Sequence, residues 1–250
     1  MTYKTILVHV DQSRHAAQRI RIAAHIAHAE DAHLIGTATT DSDNAAEALA
    51  RFDAMAADAG VTRYEKRLAD AAPGAALSQM APYSDLVVIT QADPVNLSAS
   101  DLAEFVMINC ARPVLIIPYA GTFTRIWQQV LVAWDGSMEA TRALAGALPL
   151  LRRADRVTVA LFNPPAKGER SVAAGADIAL YLARHGVSVE LLEQKVHYDV
   201  GNALLTLAAE IDADLLVMGG YGHSRLRETL FGGVTSTVLN TMTIPVLMAH

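Results

Sequence analysis

The chain repeats itself, and a tandem repeat constrains the fold more than any other single feature. The stretch "YKTILVHVDQSRHA" at residues 3–16 lies over "WQQVLVAWDGSMEA" at 127–140 without a gap. "SDLVVITQ" at 84–91 lies over "ADLLVMGG" at 213–220, and "RPVLIIPYA" from Arg112 lies over "IPVLMAH" from Ile244. The three matches keep their order and nearly their separations. This is one duplicated unit of about 120–130 residues, a usual domain size, and not a solenoid of short repeats.

Each copy alternates short apolar runs with amphipathic ones. In the second copy the pattern predicts strands at Val130–Trp134, Val157–Phe162, Val187–Val196, Leu215–Gly219 and Pro245–Met248. Helices are predicted from Ser137 to about Arg153, across Val172–His185 and Gly201–Ile211, and over Gly233–Asn240. Ser137 and Asp199 read as N-caps. The first copy predicts strands near Ile6–Val10, Leu34–Thr39, Thr62–Leu68, Leu86–Thr90 and Val114–Ile117. Continuous apolar strands joined by helices call for a parallel sheet buried on both faces. The expected architecture is therefore α/β: two tandem, doubly wound, five-stranded parallel-sheet domains. The apolar pattern breaks at "YAGTF", which puts the domains at residues 1–120 and 121–250.

Composition agrees with that fold and removes several functions. The chain is 52% hydrophobic and only 6% aromatic, with Ala, Leu, Val and Ile supplying the core. Residues 1–120 hold 9 Lys and Arg against 14 Asp and Glu, and residues 121–250 hold 11 against 12. Neither half has the basic excess that follows a nucleic-acid backbone or an anionic membrane surface, so no nucleic-acid or membrane partner is expected. The start lacks the charged and apolar regions of a signal peptide, and no run approaches a membrane span. The single cysteine, Cys110, allows no intramolecular disulfide and reads as a small buried apolar residue. A cytoplasmic protein is the expectation.

Chemistry concentrates in "GGYGHSRLRETLFGGVT" at 219–235, just past a buried-strand signal. Neither G-x-x-x-x-G-K-[ST] nor a G-x-G-x-x-G after the first strand is present. The spacing is instead Gly219-x2-Gly222-x9-Gly232-Gly233. Glycines let backbone N–H groups approach an anion closely, and a helix N-terminus beyond them adds unpaired N–H groups and partial positive charge. Asp135, after the first strand of the same copy, would face the same crevice at the carboxyl ends of the strands.

Those residues, in that order of strands, resemble the universal stress protein family in its tandem form. The family pattern is G-x2-G-x9-G-[ST] before the last helix and strand, with an Asp after the first strand. The resemblance implies a Rossmann-like, adenine nucleotide alpha hydrolase-like fold and an ATP-binding regulatory protein of the stress response. Its cofactor would be ATP, which Mg²⁺ can accompany, and an unidentified protein partner would read the bound state. By the same resemblance Asp135 would lie near adenine and ribose, and Phe162 would face the base. Gly219 and Gly222 would line the ribose–phosphate track. Gly232, Gly233, Val234 and Thr235 would supply N–H groups and one hydroxyl to the phosphates, and protonated His223 would meet a phosphate. Gly233 departs from the family's Ser/Thr, removing a hydroxyl that Thr235 could replace in part. The family's last strands pair across a dimer interface, which here implies an intramolecular pseudo-dimer and leaves room for a homodimer.

The first copy reads as degenerate. Thr90, Gln91, Ala92 and Asp93 stand where the second has Gly219, Gly220, Tyr221 and Gly222, and a carboxylate on that track would repel phosphate. Asp11 matches Asp135 without its partners. The alternative for the whole chain is a nucleotide-free interaction or scaffold module of the same fold. No catalytic set is readable: G-x-S-x-G is absent, and at most slow ATP hydrolysis is expected. His25, His28 and His33 at helix-like spacing, with His15, Glu30 and Asp31 nearby, read as a solvated face rather than a zinc site.

Overall fold

The inner strands form where the sequence places three or four consecutive apolar residues, mostly β-branched or leucine, and these side chains are buried. Ile6–Val8, Leu86–Ile89, Val130–Val132, Leu215–Val217 and Val246–Met248 are all buried. A computed structural model describes residues 2–40, 44–93, 102–124, 126–164, 174–197, 199–222 and 233–250. It divides into two compact units, Met1–Phe123 and Thr124–His250.

In the first unit the order is β1 (Thr5–His9), α1 (Ala16–Glu30), β2 (His33–Thr39), α2 (Ala45–Asp58), β3 (Tyr64–Ala69), α3 (Pro73–Met80), β4 (Leu86–Thr90), α4 (Leu102–Asn109) and β5 (Val114–Ile117). The second unit runs β6 (Gln129–Ala133), α5 (Met138–Leu151), β7 (Arg156–Phe162), α6 (Ala174–Arg184), β8 (Val189–Gln194), α7 (Val200–Glu210), β9 (Leu215–Gly219), α8 (Val234–Thr241) and β10 (Val246–Ala249). Strand order is β3-β2-β1-β4-β5 in one and β8-β7-β6-β9-β10 in the other, with every strand parallel to its neighbour. Each sheet therefore reverses direction of winding once, between β1 and β4 and between β6 and β9. A crevice opens at such a switch point, at the carboxyl ends of the strands.

Both units fasten that switch in the same way. Asp85, before β4, accepts the Lys4 and Thr5 N–H groups at 2.7 and 3.0 Å. Asp214, before β9, accepts the Gln128 and Gln129 N–H groups at 3.0 and 3.2 Å. A carboxylate holding two consecutive amides is a strong, charge-assisted arrangement, and here it joins the two central strands at their amino ends.

Expected and observed elements agree closely, with instructive differences at the rims. β3 and β8 begin two residues later than their apolar patterns, at Tyr64 and Val189, and β8 ends at Gln194 rather than Val196. Both are outermost strands with largely exposed side chains, including Leu68 and Leu191 at 57% and 45% exposure. Hydrophobicity there does not report burial. The division between the units falls at Phe123/Thr124, and Gln18 Nε2 of α1 donates to the Phe123 carbonyl at 2.8 Å within the first unit. Cys110 is buried, and burial pushes its thiol pKa up. Among the described residues no helix is long and apolar enough to cross a membrane.

Candidate functional site

At the β6/β9 switch point lies a cavity of about 560 Å³. Its walls are the ends of β6, β7 and β9, the first turn of α5, one flank of α7 and the start of α8. Asp135, Phe162, Gly219, Gly222, Val234 and Thr235, named from the sequence, all line it. Gly233 stands immediately before the lining residue Val234, as the N-cap of α8. His223 and Gly232 lie outside the described residues.

The N-termini of α5 and α8 both reach this cavity, and they differ. Ser137 caps α5, accepting the Ala140 N–H at 3.1 Å, and Asp135 Oδ1 accepts the Ser137 N–H at 2.9 Å in an Asx turn. That turn holds Asp135 at the cavity mouth. At α8 the cap is Gly233, with φ −59° and ψ 160°, and it offers no side-chain acceptor to the first turn. Val234 and Thr235, the first residues of α8, line the cavity, so the positive end of that helix lies at its wall, the arrangement that draws anions. Thr235 is only 3% exposed, and its Oγ1 already accepts the Tyr221 N–H at 3.1 Å, so a ligand would meet its remaining hydroxyl proton. Tyr221 makes the turn between Gly219 and Gly222 with φ +52°.

The two described glycines of the motif do different work. A Cβ at Gly219 would stand 2.6 Å from the Ala140 nitrogen and 2.9 Å from Glu139 Cβ. Gly219 thus lets β9 press against the first turn of α5. At Gly222 a Cβ would meet only the Glu139 carboxyl, 3.5 Å from Oε2, an ordinary contact. Gly222 opens onto the cavity. Gly219→Ala should therefore lower stability by about 1–3 kcal/mol, the range for overpacking, and move the Ala140 amide. Urea unfolding and the shift of that amide's NMR resonance would check this; an unperturbed variant would mean the helix yields easily.

Sequence reasoning missed several lining residues. Trp134, Met218 and Leu204 are apolar walls that read as ordinary core, although Trp134 directly precedes Asp135. The important omission is Glu139. A glutamate in the first turn of a helix reads as a solvated residue facing the dipole. Here it is 5% exposed, and its Oε2 has no hydrogen-bond partner among the described residues.

The corresponding crevice of the first unit, about 360 Å³, is filled with charge. Arg19, 1% exposed, donates from Nε to the His9 carbonyl and from Nη1 to Thr90 Oγ1, both at 2.6 Å. Its Nη2 lies 3.0 Å from Asp11 Oδ1. Burial opposes ionisation of Asp11, yet the Arg19 guanidinium, with His9 and the Ser13 hydrogen bonds, holds its carboxyl far below the usual range. Asp93, at the counterpart of Gly222, is not the bare carboxylate its sequence position suggests. It accepts Arg14 Nη2 at 2.9 Å and sits 3.0 Å from His15 Nε2. Asp11 likewise has partners of its own. His28 meets the Gly60 carbonyl at 3.0 Å, and His33 lies 3.6 Å from Glu65, so these two histidines face different neighbours.

A family model described as the universal stress protein family matches residues 127–250. A universal stress protein of Synechocystis is 33% identical over 158 residues, covering 58% of this chain. The match spans 49% of that relative, so the chain covers about half its length. Among solved structures, a universal stress protein of Archaeoglobus fulgidus is similar in fold with a TM-score of 0.77 at 16% identity, covering 98% of this chain and 97% of that one. A structure from Pseudomonas aeruginosa, described as a putative universal stress protein, aligns at 0.70 with 19% identity over 98% of this chain and 92% of its own. Residues 127–250 of this chain therefore belong to the universal stress protein family.

Proposed function

We propose that the second unit binds an adenine nucleotide, ATP in the first instance, and that the protein acts by presenting its nucleotide-bound state to a protein partner. The observation that carries this reading is convergence. Six residues named from three separate segments line one cavity at the switch point of a doubly wound sheet, where such folds take ligands. Its volume falls within the ~300–1,000 Å³ of small-molecule sites. The adenine would lie between Phe162 and Asp135, and the phosphates toward Gly222 and the uncapped start of α8. The first unit would hold no nucleotide, because Arg19 is already paired with Asp11, and Arg14 and His15 with Asp93. No catalytic residue is assigned.

The test is to denature freshly purified protein, identify any released nucleotide, and titrate the stripped protein with ATP. About one ATP per chain is expected. Gly222→Asp, which imitates Asp93, should weaken binding at least about tenfold, since it sets a second carboxylate beside Glu139 on the phosphate path. No released nucleotide and no binding at millimolar ATP would leave the nucleotide-free interaction module as the reading.

A further inference from the structure

Two carboxylates, Asp135 and Glu139, line the described cavity; Asp135 Oδ1 is engaged by the Ser137 N–H, whereas Glu139 is a feature that an anionic ligand should not tolerate. Its carboxyl is buried, its Oε2 has no partner among the described residues, and it faces Gly222 across an ordinary contact distance. A buried carboxylate is normally paired or bound to a metal ion, because desolvation of an isolated charge is severe. The first unit shows how the same two positions look when protein satisfies the charge. There the counterparts are His15 and Asp93, 3.0 Å apart, with Arg14 completing the pair at 2.9 Å. In the second unit the carboxylate has crossed to the helix, glycine stands opposite, and no cationic side chain lines the described cavity.

We infer that Glu139 makes nucleotide binding depend on a divalent cation: the cavity takes ATP as its Mg²⁺ complex, with the Glu139 carboxylate as the protein's ligand to the metal. This rests on the nucleotide reading above. Mg²⁺ suits the arrangement, since it is commonly held by one or two carboxylates together with the phosphates of its substrate, keeping its remaining positions for water. Without the metal, the phosphates and Glu139 would repel one another in a partly dehydrated site. Glu139 is then a residue that selects the charge state of the ligand.

Calorimetric titration of the full chain and of Glu139→Gln, with ATP and with adenosine, each in EDTA and in excess Mg²⁺, tests this. The wild type should bind ATP at least about tenfold more tightly with Mg²⁺. Glu139→Gln should bind metal-free ATP more tightly than the wild type and lose most of the Mg²⁺ dependence. Adenosine, which carries no phosphate, should bind both proteins alike under both conditions. An equal Mg²⁺ dependence in the two proteins overturns the inference and leaves nucleotide binding standing. So does a loss of adenosine affinity in Glu139→Gln, which would make the carboxylate a reader of ribose hydroxyls. Failure of both proteins to bind either compound overturns the nucleotide reading itself, and this inference with it.

Discussion

Arg19→Met is expected to destabilise the first unit by about 3–5 kcal/mol, the range for removing one partner of a buried ion pair. Two acceptors, the His9 carbonyl and Thr90 Oγ1, lose their donor, and the Asp11 carboxylate loses its ion-pair partner. Methionine roughly fills the volume, so the loss measures charge and hydrogen bonding more than packing. Adding Asp11→Asn should recover a good part of it, because the amide oxygen still accepts the Ser13 N–H that forms the turn while the stranded charge is gone. Urea unfolding gives the total, and hydrogen exchange locates it in peptides of β1, α1 and β4. Both tryptophans, Trp127 and Trp134, lie in the second unit, so their fluorescence follows that unit separately. A change below about 1 kcal/mol would show that water replaces Arg19 at low cost and that the pair is peripheral.

Acidification should weaken the same unit in a defined window. Burial above all, and then the positive charge of Arg19, pull the His9 pKa down to about 4 against an opposing effect of Asp11. The unfolded chain takes up the proton near pH 6.5, its ordinary value, and the folded one only near 4. The stability that neutral His9 preserves is therefore complete above pH 6.5 and is lost as pH falls toward 4, by roughly 3 kcal/mol in all. Asp11 acts in the same direction but lower: with its folded pKa depressed, its contribution declines only below the unfolded carboxyl range. Unfolding free energies of wild type and His9→Asn across this window check the assignment. The wild-type slope should flatten in the variant, and an unchanged slope would move the effect to another histidine. At the counterpart of His9 the second unit has Ala133, so this source of acid lability is confined to the first.

Much of the molecule was legible before folding because its information is local. Repeated apolar runs define the strands, Ser137 and Asp199 announce their helices and do cap them at Ala140 and Asn202, and Asp135 with the glycines points to the end of the sheet that bears a crevice. Periodicity and turn chemistry act over a few residues, so a linear reading reaches them. It fails where burial depends on a distant segment. Arg19 sits in a helix of alanine and isoleucine and reads as one more polar position, at the counterpart of Ala143. Only when β1 and β4 come together does Thr90, 71 residues away, become its hydrogen-bond partner.

Glu139 shows the same division at the candidate site. The order of residues alone sets a glutamate in the first turn of a capped helix, glycines after β9, and a difference between the two copies at these positions. The tertiary structure alone decided that Glu139 is buried, because Gly219 admits the end of β9 against that turn and closes it from water. A side chain's type is fixed by the chain, but its electrostatic environment is set by what long-range packing brings to it and excludes from it.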